Sequence, residues 1–194
     1  LVDYKLRLIG QSRQCEPIQT DMIIAQGHHH FDASIEAREV NTTGSCIMNE
    51  MAQIKKLKSG GHLQMNQARL EHFHARGSIK ARCIEAKNMK VLGIIRVKNL
   101  EVEYGEITMK GVCRINFINA VELQVRTGFS LSKRLIGEKI TGKSIQLTNT
   151  EANIVRGEHV VLGENCKINT LYYKKQYTIA NSANVKRIVK ENLL

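Results

Sequence analysis

The chain has one proline, no tryptophan and only 5% aromatic residues. A thick core built around large rings is therefore excluded, and a narrow core of small aliphatic side chains is expected. No apolar run approaches the ~20 residues of a bilayer-spanning helix, and the start, LVDYKLRLIG, lacks the long apolar stretch of a signal peptide. A cytoplasmic protein with no transmembrane segment, membrane-associated through partners, is the corresponding expectation. The first residue is leucine, which reads as a trimmed or partial chain. The five cysteines (Cys15, Cys46, Cys83, Cys113, Cys166) are odd in number and form no C-x-x-C pair. This argues against a disulfide framework and against zinc ribbons, and makes reduced thiols the default. Walker-type loops and G-x-G-x-x-G are missing too, so nucleotide use has no support.

What is present is ordinary in bulk: 194 residues, 42% hydrophobic and 24% charged, as in folded globular proteins. The formal charge of +11 is not ordinary. An excess of that size marks attraction to nucleic acid, anionic lipid or an acidic polymer, without saying which.

The organising signal is a repeat. Glycines stand at Gly10, Gly27, Gly44, Gly61, Gly77, Gly93, Gly111 and Gly128, at intervals of 16 to 18 residues. Four residues before the first seven of them come Leu6, Ile23, Val40, Leu57, Phe73, Met89 and Ile107; two before come Leu8, Ala25, Thr42, Ser59, Ala75, Val91 and Met109. Two after stand Ser12, His29, Cys46, Leu63, Ile79, Ile95 and Cys113, and four after stand Gln14, Phe31, Met48, Met65, Ala81, Val97 and Ile115. These columns are mostly apolar and the residues between them mostly polar, so the period is 2, that of a strand with one face buried. A third pair follows seven and nine residues after the glycine in the later repeats: Ile84 with Ala86, Leu100 with Val102, Ile118 with Ala120.

Each repeat of about 17 residues thus carries three short strands, with glycine at a corner where the backbone bends or is closely approached. The predicted fold is all-β, a three-walled parallel β-solenoid whose coils stack about 4.8 Å apart. Eight coils and a C-terminal extension give a rod roughly 45 Å long at that spacing. The sequence divides one solenoid domain into regular coils over 1–136 and irregular C-terminal coils with a cap over 137–194, where Gly137, Gly142, Gly157 and Gly163 keep no constant interval. The tail VKRIVKENLL fits a last strand or a short helix.

These glycine-punctuated coils, and above all the segment from Leu135 to Lys190, LIGEKITGKSIQLTNTEANIVRGEHVVLGENCKINTLYYKKQYTIANSANVKRIVK, resemble the bactofilins, the bacterial polymer-forming cytoskeletal family, in a long-solenoid branch. The resemblance covers nearly the whole chain and is loosest over its first fifty residues, where QSRQCEPIQ and GHHHF depart from glycine-richer coils. It implies a right-handed three-sided β-helix that assembles end to end into non-polar filaments without a nucleotide. It also implies a scaffold placing other proteins in cell-shape, envelope or motility tasks, with no catalytic residues and no cofactor.

The candidate metal ligands do not converge. His28, His29 and His30 are consecutive and point alternately to opposite faces of a strand, which denies them one ion; a surface turn with His29 partly inward is preferred. His72 and His74 share the outward face beside inward Phe73, with Cys83 on another wall, and His28 and His62 lie two coils apart. Cys46, Cys113 and Cys166 read as small core hydrophobes. Glu71 and Glu85 form no acid/base pair with a recognisable motif and read as solvated wall or corner residues.

Two sets of residues carry functional expectations. Lys80, Arg82, Arg96, Lys98 and Arg114 fall three and five residues after successive glycines and are predicted outward on one wall, a candidate anion-binding stripe for phosphates, lipid headgroups or an acidic protein. Specific nucleic-acid binding is not expected, because no aromatic residues are interleaved there. Leu6 and Leu8 alternate on the first coil and form a candidate N-terminal polymer interface, since a solenoid end must be capped or paired. The lead reading is a self-assembling scaffold; the alternative is a non-polymerising adaptor that uses the basic wall. Enzyme readings are weaker. A left-handed acyltransferase helix needs contiguous hexapeptides, and a polysaccharide lyase needs longer coils with clustered carboxylates.

Overall fold

The computed structural model describes residues 4–127 and 133–191. Strand follows strand in parallel pairing: β1 (Lys5–Gln14), β2 (Ile18–Phe31), β3 (Ile35–Met109), β4 (Cys113–Thr127), β5 (Leu135–Leu147), β6 (Thr150–Leu162), β7 (Lys167–Ile179) and β8 (Asn184–Lys190). They form one sheet in chain order, wound as a β-solenoid of about 11 turns. At the ladder spacing that is a rod roughly 50 Å long. β3 alone runs for 75 residues, because the ladder continues through the corners of its coils.

Phase alternation explains the walls. In the coil around Gly77, Phe73 and Ala75 are buried on the first wall, Ile79 and Ala81 on the second, and Ile84 and Ala86 on the third, while His72, His74, Lys80, Arg82 and Glu85 are exposed. Stacked coil on coil, the buried sets make one aliphatic core. Removing most of one such side chain, as in Ile95→Ala, is a change that costs about 2–5 kcal/mol in close-packed cores.

The third wall extends through coils where glycine-based spacing does not reveal it. Ile35 with Ala37, and Ala52 with Ile54, are buried eight and ten residues after Gly27 and Gly44. The cause is the corner between the second and third walls, which holds three residues in these coils (Asp32–Ser34, for instance) and two in the coil after Gly61. Pro17 sits in that corner of the first coil, where it removes no ladder donor.

The glycine column is a contact between backbones. Gly10 lies opposite Gly27, and Gly27 opposite Gly44. A Cβ on Gly44 would stand 2.4 Å from the carbonyl oxygen of Gly27, and φ at Gly44 is +99°. The column ends at Gly93; Gly111 faces the Ile94 side chain instead. Gly128 lies outside the described residues.

In later coils asparagine takes over that corner. Cys113 pairs with Leu135 and Leu135 with Thr150, which places Asn149 at the bend with φ 45°, and Asn165 follows one coil on with φ 55°. The Asn165 Nδ2 donates to Asn149 Oδ1 at 3.1 Å, and Asn149 Nδ2 donates to the carbonyl of Lys133 at 3.2 Å. Asparagine is the side chain that best tolerates this conformation after glycine, so the glycine interval fails while the coil persists. The tail forms a strand, β8, paired with β7.

Candidate functional site

The second wall carries the basic residues. Its outward columns pass from Arg13 and His30 through Ile47 and Gln64 to Lys80, Arg96 and Arg114. Lys80, Arg82, Arg96, Lys98 and Arg114 are all exposed. Arg96 lies directly opposite Arg114 in the ladder, and the stacking of Gly93 on Gly77 sets Lys80 beside Arg96 and Arg82 beside Lys98. Alternation puts the two columns two residues apart, about 7 Å, and successive coils about 4.8 Å apart. The five cations thus occupy one flat face three coils deep, and none has an ion pair or hydrogen bond to another side chain among the described residues.

The rest of the surface handles charge differently. On the third wall the outward column reads Asp21, Arg38, Lys55, Glu71, Lys87 and Glu103, mixed in sign. Ion pairs there join coil to coil, as in Arg69 to Glu85 at 2.9 Å and Lys175 to Glu158 at 2.8 Å; the latter holds the Glu158 carboxyl below its ordinary range. On the first wall Lys90 meets Glu106 at 3.0 Å. Like charges opposite one another destabilise a ladder, so the unpaired stack on the second wall is a local departure from the pattern of its neighbours.

The histidines are dispersed. His28 and His30 are exposed, as are His72 and His74. His29 is more deeply placed than a partly inward side chain: it is fully buried in the second wall's inner column, where its Nδ1 meets Ser12 Oγ at 2.8 Å and its Nε2 has no hydrogen-bond partner among the described residues. No signal in the sequence separates it from a surface histidine except its column position. Cys46, Cys113 and Cys166 are buried, Cys83 is half-buried and Cys15 is exposed. Burial pushes the Cys46 thiol up to about 12 and raises Cys113 and Cys166 in the same direction. Among the described residues no group of three or more His, Cys, Asp or Glu side chains is placed to hold a metal ion, and no helix is long and apolar enough to cross a membrane.

The N-terminal pair behaves differently from the columns it heads. Leu6 and Leu8 lie opposite Ile23 and Ala25, which are fully buried, yet are themselves only half-buried against the core. Among the described residues β1 pairs with β2 alone, and Tyr4 just before it and Ile9 within it are strongly exposed.

Comparison with known proteins gives two curated relatives, both from Bacillus subtilis (strain 168). The uncharacterized protein YhbE is 45% identical over 56 residues, 29% of this chain and 24% of its own length. The uncharacterized protein YhbF is 45% identical over 47 residues, 24% of this chain and 20% of its own length. The chain is thus matched to less than a quarter of either relative. No family model matches it, and no solved structure does.

Proposed function

We propose that this chain is a structural protein of the bactofilin type: a rigid β-solenoid whose rods join end to end into filaments without nucleotide and position other proteins. The observation that carries this reading is the uninterrupted stack: eight parallel strands in chain order close around one aliphatic core, a rigid rod in which each strand pairs with its neighbours in sequence. Leu6 and Leu8 continue the inner columns of Ile23 and Ala25 but are left half-covered, and the outer edge of β1 has no strand partner among the described residues. In the filament reading that edge is completed by strand pairing with another copy. The scaffold reading assigns no catalytic residue and places the assembly in the cytoplasm.

Negative-stain electron microscopy tests it. The wild-type chain is expected to form regular filaments at low and high salt, and Leu6→Glu with Leu8→Glu to give short separate rods of unchanged circular dichroism. Filaments indifferent to the double substitution would remove this interface. Monodisperse wild-type rods under all conditions would favour the adaptor reading, which rests on the five unpaired cations of the second wall.

A further inference from the structure

We propose that the second wall, at the level of Lys80, Arg82, Arg96, Lys98 and Arg114, is a docking face for an anionic lipid bilayer. This goes beyond the filament reading and does not rest on it, since a single rod presents the whole face.

Three features point to a bilayer rather than another polyanion. The first is charge: in the three coils that carry these residues the outward columns of the wall hold no acidic side chain, whereas the third wall mixes signs throughout. Fixed repulsion of this kind is relieved by an apposed negative surface. The second is shape. The cations spread over two columns and three coils of a flat sheet, and exposed Arg76 and Lys110 at one corner and Lys139 at the other widen the face beyond a single line. A plane of charge matches a plane of headgroups, while a strand of nucleic acid or polyphosphate calls for a groove. The third is composition: the two outward columns hold no aromatic side chain to stack a base, the exposed Phe117 standing at the corner beside Lys139, and clusters of four to eight Lys and Arg are what anionic leaflets attract.

The nearest acid along the face is Glu138, which follows Asn116 one coil beyond Arg114 and accepts a hydrogen bond from Asn153 Nδ2. It bounds the cationic area at the C-terminal side. Toward the N-terminus the columns turn neutral at Gln64 and Asn66.

Vesicle co-sedimentation of the intact chain provides the test, with vesicles of equal parts phosphatidylglycerol and phosphatidylcholine against phosphatidylcholine alone. Binding is expected only to the anionic vesicles, and to vanish near 1 M salt, where the Debye length is about 3 Å. The variant Lys80→Gln, Arg96→Gln, Arg114→Gln should bind about 100-fold more weakly, given the attraction each basic residue feels at an anionic surface. A control, Arg7→Gln, Lys56→Gln, Lys143→Gln, removes the same net charge from the other walls and should lose less than tenfold. Equal loss in the two variants would overturn the proposal in favour of diffuse net charge. So would tighter binding to single-stranded oligonucleotide or polyphosphate than to the anionic vesicles, or no vesicle binding at all. Circular dichroism and thermal midpoints of both variants separate loss of the face from loss of the fold.

Discussion

The thiol of Cys46 lies in an inner column between His29 and Leu63, and its environment leaves the neutral form strongly preferred. An unfolded cysteine ionises near pH 8.5. Above that pH the unfolded chain therefore releases a proton that the folded one keeps up to about 12, and the stability contributed by Cys46 is complete below 8.5 and lost as pH rises toward 12. Cys113 and Cys166 add in the same sense. The urea midpoint should fall between pH 7 and pH 10, and less so in Cys46→Val; Cys46 accounts for about 2 kcal/mol of that fall at pH 10. An identical pH dependence in Cys46→Val would show that this thiol does not contribute. Maleimide should label Cys15 first in the native protein, because only that thiol is fully exposed. His29 marks the limit of sequence reasoning at this scale: its position in the column foretells an inward side chain, but not that Ser12 satisfies one ring nitrogen and nothing among the described residues the other.

At the scale of the coil, the columns beside the seven repeat glycines from Gly10 to Gly111 were readable from alternation alone, because a wall buried on one side leaves a period of 2 that no helix imitates. The third wall was readable only where the corner has a constant length. One additional residue between Met48 and Ala52, compared with Met65 and Ala68, shifts the pattern out of register with the glycines. The C-terminal coils were obscured for another reason: the left-handed corner passes from glycine to Asn149 and Asn165, so the chemistry persists under a different letter. The glycine column makes a direct prediction. Gly10→Ala meets no atom within 4 Å and bears only its positive φ, a cost of about 1–3 kcal/mol. Gly44→Ala adds a clash with the Gly27 carbonyl, which cannot retreat without breaking the ladder below it. Its urea midpoint should lie clearly below that of Gly10→Ala, by more than about 1 kcal/mol; equal midpoints would mean that the ladder yields freely at this corner. The basic wall was legible as a direction, since exposure follows from alternation. Its lack of counter-ions was not, because pairing across coils depends on which side chains the corners bring level.

For the whole molecule, parallel coils confine contact to nearest neighbours, so the rod behaves as a one-dimensional stack. Excising Ser45–Gly61 joins Gly44 to His62 and leaves each inner column in phase from the first wall to the second. The shortened chain should fold and be shorter by one ladder step, about 4.8 Å, as small-angle scattering can read. Removing Ser45–Leu57 instead takes out 13 residues and should abolish cooperative unfolding, since it displaces every later corner. The same stacking has a consequence for how such a molecule records distance. Every coil adds one fixed step along the axis whether it takes 15 residues, as from Gly142 to Gly157, or 22, as from Cys113 to Leu135, so coil count is translated linearly into length. The chain is a tape measure, with its graduations set by backbone hydrogen bonds and its span adjustable one coil at a time.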